Sequence, residues 1–399
     1  MTSLLLAVTY LTFVSLGLPD ALLGSAWPVM HADLGAPVAA QSAISIIVSA
    51  CTIVSSLLTA RLVRRLGTGR LCALSVTLTA AAMLGFSFTR SLWQLCLLAV
   101  PYGLGAGAID AALNNYAALN FGARHMSWLH CCWGIGASAG PVAMGWALAT
   151  PASWTAGYLA IGAVQVAIAV VLFISLPLWP RTGADAPGGA GSAQAEGEPA
   201  DGPAAPPTAR GLLRLPGAAA AVGSFGFYCA LEGSTGLWTA SYLVMARGVE
   251  APVAASIVSL FFLGITAGRF VSGALTHLLS SERQIVGGLA ICAAGLAMLV
   301  FLPAGPAAWV AVGIMGFGCA PVYPSIVALT PGRFGGRATP GLVSLQMACG
   351  YAGSSLVPPL FGLVAGAGGS AAIPWMLAVI LAADLACARV AQAKARPAA

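Results

Sequence analysis

Long apolar stretches follow one another along almost the entire chain, and short polar or Gly/Pro-containing breaks separate them. A helix needs about 20 predominantly apolar residues to cross a bilayer, and these stretches have about that length or more. We count twelve, covering roughly residues 4–30, 38–60, 70–89, 92–120, 127–149, 153–178, 215–246, 252–277, 284–302, 307–330, 340–366 and 371–392. The pattern predicts an all-α membrane protein with twelve transmembrane helices.

The two halves of the chain resemble each other. In the fifth and eleventh spans, His130 and Gly134 align with Gln346 and Gly350, 216 positions later. A stretch rich in Pro, Gly and Ala separates the halves and has little apolar surface to bury. We therefore expect two pseudo-symmetric six-helix bundles, at 1–180 and 212–399, joined by a flexible linker at 181–211, an arrangement typical of the major facilitator fold.

Composition supports the membrane assignment. Hydrophobic residues make up 59% of the chain and charged residues 7%, against about 25% charged in soluble proteins. The ten cysteines are scattered through apolar runs, which indicates neither a disulfide framework nor a zinc site. The first basic residue is Arg61, so no positively charged segment precedes the first span as in a signal peptide.

The basic residues predict the topology. Fourteen of the seventeen Lys and Arg residues fall on one side of the predicted spans, whereas Arg90 and Arg247 fall on the other and Arg269 lies inside a span. The excess of Lys and Arg marks the cytoplasmic side. We therefore expect a multi-pass protein of the cytoplasmic membrane, with both termini and the linker in the cytoplasm.

Carboxyl groups inside the spans are the main candidates for chemistry. Asp20, Asp110 and Glu232 fall near the centres of their spans, and Asp384 falls nearer one end. An acid at the bilayer centre costs about 2.5–3.5 kcal/mol on insertion scales, and such acids usually face the protein or water. Asp110 shares a helical stripe with Gly103, Gly107 and Asn114. We expect this stripe to line a path for substrate and protons, with Asp20 and Asp110 as the proton-coupling residues.

Other polar and aromatic residues near these acids are candidates for substrate binding. Carboxylates and amides exchange several hydrogen bonds with a polyhydroxylated ligand, and aromatic rings cover its apolar faces. The predicted substrate-binding residues are Glu232, Asn114, Trp27, Tyr228, Trp238, Gln346 and His130. Each has a structural alternative, such as a hydrogen bond between helices or ordinary packing. The glycines around Gly136 are more typical of close helix packing than of ligand contact.

The predicted loop after the second span, Ala60–Arg70, resembles the major facilitator signature Gly-x3-Asp-Arg-x-Gly-x-Arg. Arg65 and Gly67 are kept and Arg70 is the following basic residue, whereas Arg64 occupies the position of the acid and Ala60 that of the leading glycine. Arg269 begins a degenerate copy of the signature in the second half. We expect Arg65, Gly67, Arg70 and Arg269 to form the cytoplasmic gate.

Three further motifs resemble the branch that contains the fucose–proton symporters and sodium-dependent glucose transporters. They are Gly107-x2-Asp110-x3-Asn114 in the fourth span, Leu129-His130-x3-Gly134-x-Gly136-x3-Gly140-Pro141 in the fifth, and Tyr228-x3-Glu232-x5-Trp238-x3-Tyr242 in the seventh. The resemblance implies sugar transport coupled to protons or sodium, with the acids at positions 20 and 110 carrying protonation and sugar binding.

The leading hypothesis is a proton-coupled symporter of a sugar or similar small polar solute. The alternatives are a proton-antiporting exporter of amphipathic compounds and a membrane sensor that binds a solute without moving it. No phosphate loop, nucleophile elbow or metal-spaced His/Cys cluster indicates an enzyme. We expect no cofactor beyond the coupling ion, with sodium as the alternative to the proton. The expected partners are a small-molecule substrate and membrane lipid, without nucleic acid, for a monomeric protein.

Overall fold

The computed structural model describes residues 2–120, 123–179, 208–276 and 278–394, and every regular element in these ranges is a helix. Most of the predicted linker lies outside the described residues. The α-helices, numbered in chain order, are α1 (Thr2–Gly17), α2 (Leu22–Asp33), α3 (Ala40–Leu66), α4 (Thr68–Ser87), α5 (Leu92–Asn120), α6 (Ala123–Leu148), α7 (Ser153–Ser175), α8 (Ala209–Leu213), α9 (Ala218–Arg247), α10 (Ala251–Leu275), α11 (Ser281–Phe301), α12 (Pro306–Cys319), α13 (Val322–Phe334), α14 (Thr339–Val364) and α15 (Ile373–Lys394).

Twelve membrane spans are formed from these helices. Ten segments are long and apolar enough to cross a bilayer by themselves, among them the pairs α1–α2 and α12–α13, each of which forms one span. The remaining two spans are α6 and α9, with 26 and 30 residues. Both contain several glycine and serine residues among their apolar residues. The predicted fold class, twelve helices in two six-helix bundles, is confirmed.

The first span is broken where one continuous helix was predicted. Between α1 and α2 the backbone forms turns whose hydrogen bonds join residues three positions apart. The Asp20 amide donates to the Gly17 carbonyl, and the Leu22 amide donates to the Pro19 carbonyl. Pro19 contributes to this break because it has no amide hydrogen and restricts the preceding backbone. The tenth span is broken in the same manner between α12 and α13, next to Pro321. The first break places Asp20 outside regular helix.

The segment that carries the signature motif also differs from its prediction. Helix α3 continues to Leu66 and α4 begins at Thr68, so the predicted loop of about ten residues is reduced to Gly67. Gly67 has φ = +80°, a conformation that glycine adopts without strain. Arg65 therefore lies on the last turn of α3 and Arg70 on the first turn of α4, both exposed.

The described helices of the two bundles meet mainly through four pairs, α6 with α10, α3 with α14, α2 with α9 and α2 with α10. We call the side where α1 begins and α15 ends the terminal side, and the side where α2 ends and α3 begins the distal side. Two side-chain hydrogen bonds between described residues join the bundles. The Gln41 amide donates to the Leu237 carbonyl at 3.0 Å, and the Ser42 hydroxyl donates to the Pro359 carbonyl at 2.9 Å. Both lie at the distal side, which is therefore closed.

Close backbone approach at Gly24 helps to keep the distal side closed. A Cβ atom on Gly24 would lie 2.7 Å from the Leu237 carbonyl oxygen and 2.8 Å from that of Gly236. Even one methyl group there would force α2 and α9 apart. At Gly287 in α11, by contrast, no atom of the described residues lies within 4 Å of an added Cβ.

We predict that Gly24→Ala weakens distal closure and that Gly287→Ala does not. Overpacking of this kind typically costs about 1–3 kcal/mol, so the distal loop at 34–39 should open more often. Hydrogen–deuterium exchange of the detergent-solubilised protein measures this directly. Exchange in that loop should become faster in Gly24→Ala alone, and equal exchange in the two variants would contradict the assignment.

Candidate functional site

Asp20 lies at the break in the first span and is exposed to solvent although it is near the middle of the membrane. The indole Nε1 of Trp133 donates a hydrogen bond of 2.8 Å to its Oδ2 atom. A donor of this kind stabilises the ionised carboxylate. Because the distal side is closed, the exposure of Asp20 indicates a central cavity that opens toward the terminal side.

Small residues bring Trp133 to Asp20. Gly136 and Gly140 of α6 contact the carbonyl groups of Val14 and Leu18 in the first span. Side chains at these positions would hold α1 and α6 apart, so the glycines act as packing residues. The close approach places Trp133 of α6 beside the break that carries Asp20.

Asp110 is half-buried in the middle of α5 and interacts with Asn114 one turn later. The Asn114 side-chain amide donates to Oδ1 of Asp110 at 2.8 Å and to its backbone carbonyl at 3.0 Å. The predicted common stripe with Gly103 and Gly107 needs correction. Both glycines are buried against α3, where the Thr52 and Ser56 hydroxyl groups donate to their carbonyl groups. They line a helix interface, because contact between α3 and α5 leaves no space for side chains.

Glu232 completes a group of three acids shared by the two bundles. It is half-buried on α9, and Asp20 is close enough to interact electrostatically with both Asp110 and Glu232. Tyr228, one turn before Glu232, interacts electrostatically with that carboxylate. Its buried hydroxyl has no hydrogen-bond partner of good geometry among the described residues.

Arg269 lies beside this group. Its guanidinium carbon is 5.5 Å from the centre of the Trp133 ring, a cation–π distance. Trp133 therefore touches Arg269 of the second bundle with its ring face and Asp20 of the first bundle with its N–H group. Arg269 also interacts electrostatically with His130, Tyr228 and Tyr323. Arg269 thus lies beside Trp133, the hydrogen-bond partner of Asp20, whereas Arg65, Gly67 and Arg70 lie together at the terminal end of the α3–α4 pair.

Three other predicted binding residues lie in the packed core. Trp27 and Trp238 are fully buried, and their indole nitrogens donate to the carbonyl groups of Val38 at 2.9 Å and Pro358 at 2.8 Å. Gln346 is buried and paired with Thr330. None of the three presents a free polar group to the cavity in this conformation.

His130 is half-buried, with its ring packed edge-on against Phe13 at a centroid distance of 5.7 Å. It lies near Arg269. The histidine therefore belongs to the same neighbourhood as Trp133, with an aromatic packing partner.

Two tyrosines of the site were not among the predicted residues. Tyr323 and Tyr351 are 37% and 46% exposed, and both interact electrostatically with Asp110 across the cavity. A sequence signal existed for Tyr323, since it lies between Pro321 and Pro324 at the break in the tenth span. Tyr351 gave no comparable signal.

Twelve spans in two bundles around an accessible, charged cavity define a multi-pass transport protein rather than an enzyme. The sequence model of the Major Facilitator Superfamily matches residues 9–358. The chain belongs to the Major Facilitator Superfamily.

Comparison with solved structures supports the same fold. A bacterial homologue of the human lysosomal transporter Spinster, inward-facing and unoccupied, is 12% identical, with a TM-score of 0.71 and 99% of each chain covered. A variant of the nucleoside transporter NupG is 13% identical, with a TM-score of 0.72, 97% of this chain covered and 98% of that chain. No curated protein sequence matches the chain. Membership of the fucose–proton symporter branch stays a prediction.

The Asn114–Asp110 pair generates a prediction that needs no substrate. Removing the amide in Asn114→Ala should destabilise the protein by about 1.5–3 kcal/mol, the usual contribution of a hydrogen bond to a charged group. Asn115→Ala is the matched control, because the exposed Asn115 forms no side-chain hydrogen bond with a described residue. Thermal unfolding in detergent measures the effect, and equal losses in the two variants would contradict the pairing.

Proposed function

We propose that the protein is a proton-coupled secondary transporter that moves a sugar or similar small polar solute across the membrane by alternating access. The observation that carries the proposal is the sharing of one solvent-accessible cavity by Asp20, Asp110 and Glu232, contributed by both bundles. Carboxyl groups near the middle of a membrane are functional in most proteins that contain them. No metal or organic cofactor is needed for them to bind and release protons.

The direction of access follows from the topology that we propose. The terminal side is cytoplasmic, as the distribution of Lys and Arg predicts, and the membrane is the cytoplasmic membrane. The conformation described above is then inward-open, with the distal contacts around Gly24 and Ser42 closed. Alternating access requires these contacts to separate while the terminal ends of the bundles approach each other.

Asp20 and Asp110 are the proposed proton-coupling residues. Each has one hydrogen-bond donor that stabilises its ionised form, Trp133 for Asp20 and Asn114 for Asp110. The two carboxylates also repel one another across the cavity. Protonation of one relieves this repulsion, and solute binding and the rocking of the bundles can then depend on the protonation state.

The walls of the cavity suit a solute with hydroxyl groups and a flat apolar face. Glu232 and Asn114 offer acceptors and an amide, and Tyr323 and Tyr351 offer exposed rings with hydroxyl groups. These rings also favour the second candidate function, proton-coupled export of amphipathic compounds, because such compounds bind to aromatic surfaces. Direction of transport separates the two candidates.

The experiment is uptake into proteoliposomes under an imposed pH gradient, with D-glucose, L-fucose, uridine and D-glucuronate as labelled solutes. We expect accumulation of at least one solute when the interior is alkaline, independent of sodium. Asp110→Asn should abolish accumulation while leaving exchange of solute across the membrane measurable. Asp384→Asn is the control, since Asp384 is buried against Ser224 at 2.5 Å, away from the cavity surface.

Three results would contradict the proposal. Accumulation that persists in Asp110→Asn would remove the proton-coupling role of that residue. Accumulation driven by sodium alone would assign the coupling to the other ion. Uptake of none of the solutes, together with proton-driven efflux of amphipathic dyes, would favour the exporter.

A further inference from the structure

Arg269 has no polar partner among the described residues, in contrast to two other arginines of the second bundle. Arg247 donates to the Tyr242 hydroxyl and to the carbonyl groups of Leu299 and Leu302. Arg333 forms an ion pair of 2.9 Å with Glu282. Arg269, inside a membrane span, forms no hydrogen bond and no ion pair with any described residue, and its guanidinium group lies over the ring of Trp133.

An unpaired guanidinium at this depth is costly for the protein. Cations inside membrane spans are rare and normally pair with acids or backbone carbonyl groups. The five N–H donors of an arginine form a rigid fork that matches a carboxylate or a phosphate. The half-buried Arg269 faces the accessible cavity, so an anionic ligand can reach it from solution.

We propose that Arg269 is the subsite for an anionic group of the transported solute, and that the preferred solutes are polyhydroxylated monoanions such as sugar acids. This inference rests on the proposed transport function and specifies its substrate class. The carboxylate of the solute accepts hydrogen bonds from the guanidinium group of Arg269. The hydroxyl groups of the solute face Glu232, Asn114 and the cavity tyrosines. Trp133 supports the planar guanidinium by stacking.

Charge balance links this subsite to proton coupling. Asp20, Asp110 and Glu232 carry three negative charges when all are ionised, against one positive charge on Arg269, so the cavity then repels an anion. When Asp20 and Asp110 are protonated, one negative and one positive charge remain, and a monoanion is accepted. The ionisable groups that also face Arg269 are His130 and Cys131 of α6, Tyr228 of α9 and Tyr323 of α13.

The same balance favours a carboxylate over a phosphate. Trp133 connects Arg269 to Asp20, because its ring contacts the guanidinium while its N–H group donates to the carboxylate. A phosphate monoester carries close to two negative charges at neutral pH, more than one guanidinium offsets. Glu232, on the neighbouring helix α9, would repel the second charge.

The test is binding of four ligands with the same ring to the purified protein at pH 5.5, measured by isothermal titration. D-Glucuronate is the anion, D-glucose the neutral analogue, D-glucosamine the cation and D-glucose 6-phosphate the phosphate. We expect D-glucuronate to bind at least about 10-fold more tightly than the other three, a factor that corresponds to one charge-assisted hydrogen bond.

Variants of Arg269 separate its role from general stability. Arg269→Gln should weaken D-glucuronate binding by about 10-fold or more and change D-glucose binding less than about twofold. Arg269→Lys should give an intermediate loss, because lysine keeps the charge without the planar fork. Arg283→Gln is the matched control, since Arg283 is exposed at the terminal end of α11, and neither affinity should change.

Several results would overturn the subsite. Equal affinities of the wild-type protein for the four ligands, or a preference for D-glucosamine, would do so without any variant. Equal losses of D-glucuronate and D-glucose binding in Arg269→Gln would assign the residue a structural role. The preceding uptake experiment stays separate: accumulation of neutral sugars with D-glucuronate excluded would support the proposed transport function and refute this inference.

Discussion

The cost of charge inside a bilayer constrains this structure more than any other single factor. Besides Asp384, which is buried against Ser224, three carboxyl groups and one guanidinium group lie at membrane depth, and an isolated one on a lipid-facing surface would cost several kcal/mol. The fold meets this constraint by directing all four toward a cavity between the bundles. The breaks in the first and tenth spans, the glycine-mediated contact of α1 with α6, and the polar character of α6 and α9 all serve this arrangement.

Trp133 has a central position in that arrangement. Its N–H group donates to Asp20 of the first bundle, while its ring contacts Arg269 and packs edge-on against Phe262 of the second. The Trp133 side chain is therefore hydrogen-bonded to Asp20 and also contacts α10, the helix that carries Arg269. Since the α6–α10 pair connects the bundles beside the cavity, a change of charge at Asp20 can alter a contact that both bundles share. This gives proton binding a physical route to the rocking motion.

The sequence predicted the parts of the structure that depend on length and composition. Twelve apolar stretches, an internal repeat and four intramembrane acids were enough for the fold class and for the acids of the cavity. The precise form of the breaks was not predictable: Pro19 indicated a weakened helix, but whether a proline bends or interrupts a helix depends on the packing around it. The prediction of a loop at Ala60–Arg70 was also wrong. Arginine side chains on the last turn of α3 are long enough to reach water, so the helix does not have to end before them.

The sequence does not specify how each helix is rotated about its axis, and this limited the prediction of the site. Trp27, Trp238 and Gln346 satisfy the sequence criteria for binding residues, yet they lie in the core, whereas Trp133 lies at the cavity. Residue type and spacing do not determine which face of a largely apolar helix meets a neighbour. The contact between Arg269 and Trp133 joins residues 136 positions apart in different bundles, so it depends on the docking of α6 against α10 and could only be found in three dimensions.

The most direct test of the account is a measurement of proton flux caused by the solute itself. Proteoliposomes are placed in a weakly buffered medium with the same pH inside and outside. D-Glucuronate or D-glucose is then added to the outside, and the external pH is recorded. The account predicts that the medium becomes alkaline as solute and protons enter together, and that Asp110→Asn abolishes the pH change. Entry of solute at an undiminished rate with no change in external pH would contradict proton coupling through the central acids.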